Sequence, residues 1–268
     1  MEFLTLLLIT LMGLVSPVGF VADRLAADAL RQRLESAEDL DVRIDNAPSY
    51  RLAQGRVQRV RVAGEGIVPL EGVRIEELNL EAEGVALDPG ELRDGTVELK
   101  GPLEAGIQLV LTEEDLNQAL QSPVVTEWLE DASVQVPGAA SIGMERYTLL
   151  NPQIQLLEGD SQGDGRGDRL RFQVTLQERR NRRQIPIELE SGFAIDGSRR
   201  VRLIDPAVSV EGVAVPAELL QALTQGGVVD LQTLGGEEIL VRLLQLEVED
   251  DQVAIAAWVR VAPERNTP

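Results

Sequence analysis

The chain has no histidine and no cysteine. Without imidazole there is no Ser-His-Asp relay and no HExxH zinc site. Without thiols there is no disulfide, no thiolate metal centre, no cysteine nucleophile and no Cys-linked lipid anchor. Aromatic residues make up only 3% of the chain, and two of the four phenylalanines, Phe3 and Phe20, lie in the N-terminal stretch. The core is therefore Leu, Val, Ile and Ala, and stacked-ring platforms for sugars or single-stranded nucleic acid are scarce. Cations are also short: 25 Lys and Arg stand against 45 Asp and Glu, a net charge of −20. That balance disfavours nucleic acid as a partner, because a phosphate backbone needs cationic surface.

What is present begins with an uncharged run, Phe3 to Ala22. As a helix, 20 residues would measure about 30 Å, the hydrocarbon thickness of a bilayer. Phe3, Leu7, Leu11, Val15 and Phe20 are the residues expected to meet lipid. Ser16-Pro17 interrupts the run, and the part before it has the length of a signal-peptide core. Glu2 stands where a signal peptide carries positive charge. Arg24, Arg31 and Arg33 follow the run and would hold the rest of the chain in the cytoplasm if the segment spans. The other reading is an apolar helix packed on the protein's own domain.

From Asp23 to Ala37 the spacing of Leu25, Ala26, Ala29, Leu30 and Leu34 is helical. From Asp41 the period drops to two, through Val42-Ile44, Val57 to Val62, and Val73 to Leu80 with a bulge expected at Glu76-Glu77. Val85-Leu87, Val97-Leu99 and Ile107-Leu111 continue the series. Thr112 caps a predicted helix starting Glu113-Glu114-Asp115, followed by a second helical turn over 124–129. Strand patterns return at Ile154-Leu156, Leu170-Leu176, Ile185-Leu189, Val201-Leu203 and Val208-Val210. A helix is expected from Pro216 and another from Glu237 to Leu244, whose continuation Leu246-Glu247-Val248 alternates and also fits a strand, with Val253 to Val261 as the last strand. One-faced strands with one-faced helices predict an α+β fold, a curved antiparallel sheet packed on helices. The expected organisation is an N-terminal apolar segment and amphipathic helix over 1–37, one domain over 38–262 and a loose tail over 263–268.

Several segments together carry a resemblance: Asp41-Val42-Arg43-Ile44 with Pro48-Ser49-Tyr50, Gly55 to Val62, Leu111-Thr112-Glu113-Glu114-Asp115-Leu116-Asn117, and Val215 to Leu220. The chain resembles the LmeA-like family of bacterial phospholipid-binding proteins, in particular its photosynthetic-bacterial branch. The resemblance runs from about residue 20 to 260. It implies a tubular lipid-binding (TULIP/BPI-like) architecture, a curved sheet wrapped around helices with an apolar groove. It also implies a cell-envelope setting, which favours the periplasmic or envelope side of a membrane against the cytoplasmic side that the arginines suggest. It transfers no catalytic motif.

Leu116, Leu120, Val124, Val125, Trp128 and Leu129 are the candidates to line the mouth of such a groove; an apolar helix stripe of this kind is more often plain core. Arg179, Arg180, Arg182 and Arg183 form a dense cationic patch between two strand patterns, so they are expected at a hairpin tip. Guanidinium groups there suit anionic lipid headgroups, or a solvated turn. Asp160, Asp164 and Asp168 partly match a calcium loop, but Arg171 stands where the bidentate Glu belongs, so no metal site is assigned. Acidic pairs such as Glu113-Glu114 leave carboxylate catalysis formally open.

The function expected from all this is non-catalytic: phospholipid or another lipid held by its acyl chains at a membrane, with no cofactor. The alternative is a structural or assembly factor that uses the same face for a protein partner.

Overall fold

The computed structural model of the chain describes residues 30–31, 34–45, 54–86, 100–126, 147–157, 169–216, 228–230, 239–249 and 251–262. The apolar run with Phe3, Leu7, Leu11, Val15 and Phe20 lies outside these residues. So do Trp128, Leu129, the Asp160–Asp168 loop, the helix expected after Pro216 and the tail over 263–268.

Of the described residues, 74% are strand and 10% helix. This overturns the expected α+β fold. Among the described residues there are two antiparallel sheets, neither closed, and two small helices, and no curved sheet wraps around helices in the tubular manner. One cause is visible in the sequence. Of the segment expected to be a helix from Glu237 to Leu244, the described part from Ile239 onward belongs to a strand, Ile239–Glu249. Its unbroken run of Ile, Leu and Val satisfies either a buried helix or a strand, and pairing within a sheet decides the matter.

The strands in chain order are β1 (Asp39–Asp45), β2 (Arg56–Leu70), β3 (Val73–Ala86), β4 (Leu103–Thr112), β5 (Tyr147–Leu157), β6 (Arg169–Glu178), β7 (Gln184–Asp196), β8 (Arg200–Val210), β9 (Val213–Ala214), β10 (Val228–Asp230), β11 (Ile239–Glu249) and β12 (Gln252–Val261). Helix α1 (Glu113–Gln121) follows β4 directly. Two compact units result. The first holds residues 1–111, 231–246 and 254–268, and the second holds 112–230 and 247–253.

In the first unit the sheet order is β1-β2-β3-β4-β12-β11. Register places Val42, Val62, Leu80 and Ile107 side by side across four strands, and all four are buried. Leu30 and Leu34, one helical turn apart, join that cluster. Each fully buried Leu or Val of this kind contributes about 1.5–3 kcal/mol. The opposite face is polar, because successive side chains alternate: Arg43, Arg61 and Glu81 lie in one row, with Gly106 beside them.

Strands β2 and β3 exchange faces twice, and their register holds from Val57↔Val85 to Ile67↔Ile75 before shifting between Ile67 and Leu70. Burial passes from Ile75 to Leu78 near the Glu76-Glu77 pair, and from Ala82 to Val85. Gly66 and Gly84, at the two irregularities, hold positive φ of 57° and 63°. Only glycine takes that geometry without cost.

In the second unit the order is β10-β8-β7-β6-β5, with β9 paired to β8. Bulges interrupt β5 between Leu150 and Gln153 and β8 between Ile204 and Ala207, opposite Ser191 of β7. Ser191 lies at the second bulge, fully buried, and its hydroxyl bonds the Gly192 and Ile204 carbonyls.

Candidate functional site

Strands β5 to β8 each alternate apolar and polar residues, and their register brings the apolar ones onto one face. Ile154, Phe172, Leu189 and Val208 are direct neighbours in one row. Val174, Ile187 and Val210 form the next row, and Phe193-Leu203 and Ile195-Val201 extend the face beyond the bulge. From Leu170 to Leu176 the strip runs about 20 Å, with strands about 4.8 Å apart.

This face is less completely covered than the core of the first unit. Leu156, Val174 and Leu176 are buried, but Ile154, Phe172, Ile185, Ile187, Leu189, Phe193, Leu203, Val208 and Val210 all keep intermediate exposure. Phe172 and Phe193 are the two phenylalanines outside the N-terminal run, and both fall here. A broad apolar surface that remains in partial contact with solvent is the sort of surface apolar ligands occupy.

The reverse face is a polar lattice. Arg169 Nε and Arg171 Nη2 each hold one oxygen of Glu190 at 3.0 Å, and Arg171 Nη1 donates to Gln155 Oε1 at 2.9 Å. Gln173 donates to Glu188 at 2.7 Å. The hydrogen bond from Arg171, joined by one from Arg169, holds the Glu190 carboxyl below its ordinary value of 4.5 against the opposing effect of partial burial. A depressed folded-state pKa stabilises the fold above the unfolded value, and that contribution is lost as pH falls through the folded value. We therefore expect wild-type stability in urea to decline below about pH 4.5, and Glu190→Gln to flatten that part of the pH profile while lowering stability at pH 7.

Helix α1 secures the edge of the same sheet. Thr112 accepts from the Asp115 N–H at 3.0 Å, and Asp115 in turn accepts from the Thr112 N–H, a complete capping box. Three side chains at a spacing of four then take the place of a neighbouring strand. Glu113 accepts from Leu156 N–H, Asn117 both accepts from Ile154 N–H and donates to Ile154 C=O, and Gln121 donates to Pro152 C=O, all at 2.8 Å. The periods match: four helical residues rise about 6.0 Å, and two strand residues about 6.8 Å. The helix thus caps an edge strand that would otherwise offer open backbone groups.

The residues singled out in the sequence are distributed as follows. Leu120 and Val125 are buried, and Leu116 and Val124 are half-buried, on α1 and the helical turn at 123–126. The turn is tied to α1 by Thr126, whose hydroxyl bonds the Leu120 and Ser122 carbonyls. Arg179, Arg180, Arg182 and Arg183 are all exposed in the turn joining β6 to β7. The apolar rows of β5 to β8 had been legible as strands but not as a common face, since register is not written in any one strand. The Glu113-Asn117-Gln121 spacing was the available signal for the edge contact.

Two open grooves of about 510 and 610 Å³ lie elsewhere, in the first unit. The smaller runs over Ala63, Gly106 and Ala256 beside Leu244, which is 62% exposed. The larger runs along Arg56 to Arg59 and Glu83 to Ala86. Arg61 is ion-paired with Asp45, and Arg59 with Glu81 and Glu83, so their charge is already answered within the unit.

Among the described residues the protein is of the all-β class, two antiparallel sheets each with one apolar and one polar face. The particular assignment follows from the family comparison: the LmeA-like phospholipid-binding model matches residues 16–257, and the chain belongs to that family. No curated protein and no solved structure matches the chain.

Proposed function

We propose that this protein is a non-catalytic, membrane-associated phospholipid-binding protein that lays acyl chains along the apolar face of β5 to β8. The observation that carries this reading is the contrast in burial. At the centre of the first unit the row Val42, Val62, Leu80 and Ile107 is buried throughout, whereas Phe172, Leu189 and Val208 at the centre of the second sheet stay partly open. Each methylene moved from water onto such a face contributes about 0.8 kcal/mol, so two acyl chains supply ample driving force. The family membership supports phospholipid as the ligand. Membrane association rests on the uncharged run from Phe3 to Ala22, and a role in handling envelope lipid is part of the same proposal.

The test is native mass spectrometry of the full chain purified from cells. We expect an added mass that disappears on organic extraction and is identified as phospholipid. An unliganded mass that takes up no phospholipid from vesicles would shift the reading to a scaffold for a protein partner.

A further inference from the structure

One end of the second unit combines features found together nowhere else among the described residues. The turn between β6 and β7 presents Arg179, Arg180, Arg182 and Arg183 in a chain whose net charge is −20. Two of these four are held in place. Arg179 Nε donates to Thr148 Oγ1 at 3.2 Å, and Arg183 pairs with Glu211 at 3.2 Å. The turn itself is closed by the Glu178 N–H to Arg183 carbonyl and Arg182 N–H to Glu178 carbonyl bonds, each 2.9 Å, with Arg182 at a φ of 59°. Arg180 and Arg182 are exposed and form no ion pair among the described residues. The backbone thus fixes a turn that leaves two guanidinium groups open to an outside anion.

The Arg183–Glu211 pair brings a second turn alongside. Glu211 and Gly212 join β8 to β9, and the Glu211 N–H bonds the Pro186 carbonyl at 2.9 Å. Immediately after that turn stands Val213, 70% exposed, the most exposed large hydrophobic residue described. Tyr147 lies at the same end, directly opposite Glu178 in register. Guanidinium groups beside an exposed aliphatic residue and a tyrosine suit a bilayer interface: arginines meet headgroup phosphate, the aliphatic group enters the acyl boundary, and tyrosine sits between. Glu211, beside this cluster, is engaged by Arg183.

We propose that this end of the second unit, Arg180 and Arg182 with Val213, is the surface that docks on an anionic phospholipid bilayer. This deepens the phospholipid-binding reading and rests on it for its purpose. The strong negative charge of the rest of the chain makes the docking orientation-specific, since other faces are repelled by anionic lipid.

The test is co-sedimentation of the full chain with vesicles of phosphatidylcholine alone and of phosphatidylcholine mixed with phosphatidylglycerol. Phospholipid carried by each protein sample is measured in parallel by mass spectrometry. We expect Arg180→Ala with Arg182→Ala to weaken binding to the anionic vesicles by about 25-fold, roughly fivefold per arginine, and to leave binding to neutral vesicles unchanged. We expect Val213→Trp to strengthen anionic-vesicle binding and Val213→Ser to weaken it. Circular dichroism checks that each exposed-turn variant is folded. Wild-type binding to anionic vesicles by the folded double arginine variant overturns the docking surface, even if the protein carries phospholipid. Weakened binding by that variant supports the surface, and if the samples carry no phospholipid it is the acyl-chain reading alone that falls.

Discussion

Replacing Asn117 with leucine is expected to lower stability by about 3 kcal/mol. Asn117 is the one α1 side chain that satisfies both an N–H and a C=O of the edge strand, through 2.8 Å bonds to Ile154. It also donates to the Glu113 carbonyl one turn earlier on its own helix. Leucine fits the helix, so the change removes the hydrogen bonds without a helix-propensity penalty. It leaves a partly buried donor and acceptor without partners, each costing about 1–3 kcal/mol. Asn117→Asp should retain the bond from Ile154 N–H but turn a carboxylate toward two carbonyls, and should therefore also destabilise. Gln118, exposed on the same helix, is the control, and Gln118→Ala should change stability by less than about 0.5 kcal/mol. Equilibrium unfolding in urea measures all three. An Asn117→Leu variant as stable as wild type would mean that the helix does not secure the β5 edge.

The second large effect is expected on ligand content. Leu189 sits in the central row between Phe172 and Val208. Leu189→Thr keeps a residue that favours strands but replaces an apolar branch with a hydroxyl in the middle of the strip. Loss of about two methylene equivalents of contact, together with an unsatisfied hydroxyl against an acyl chain, predicts roughly a tenfold or greater loss of bound phospholipid. Glu188→Gln, on the polar face of the same strand, should leave lipid content unchanged. Bound phospholipid per mole of purified protein, measured after extraction, compares the variants. Equal loss in both would point to general loosening of the sheet rather than to a ligand face.

Much of this was readable from the residues alone, though unevenly. Alternation found β1 to β3, β5 to β8 and β12, because each places apolar side chains on one side of the chain. The Thr112-Asp115 cap and the helix after it were also clear, since a threonine followed by acidic residues leaves few local alternatives. The fold class was misread. The run from Glu237 to Leu244 cannot be assigned by local spacing, and treating it as helix supplied one of the layers around which a sheet was expected to wrap; the structure has Ile239–Glu249 as strand. The docking end was only half legible. Four arginines in five positions were plain, but Val213 joins them only because Arg183 reaches Glu211 across 28 residues of sequence. The apolar face depended likewise on register, which pairs Phe172 with Leu189 and Leu189 with Val208 over long separations.

The most direct test of the acyl-chain face is photo-crosslinking of the full chain to a phospholipid that carries a diazirine in its acyl chain, followed by peptide mapping. The account predicts adducts on peptides spanning Leu170–Leu176, Ile185–Ile195 and Val201–Val210, with competition by unlabelled phospholipid. Adducts confined to the first unit or to the N-terminal apolar run, with none on these three strands, would contradict it.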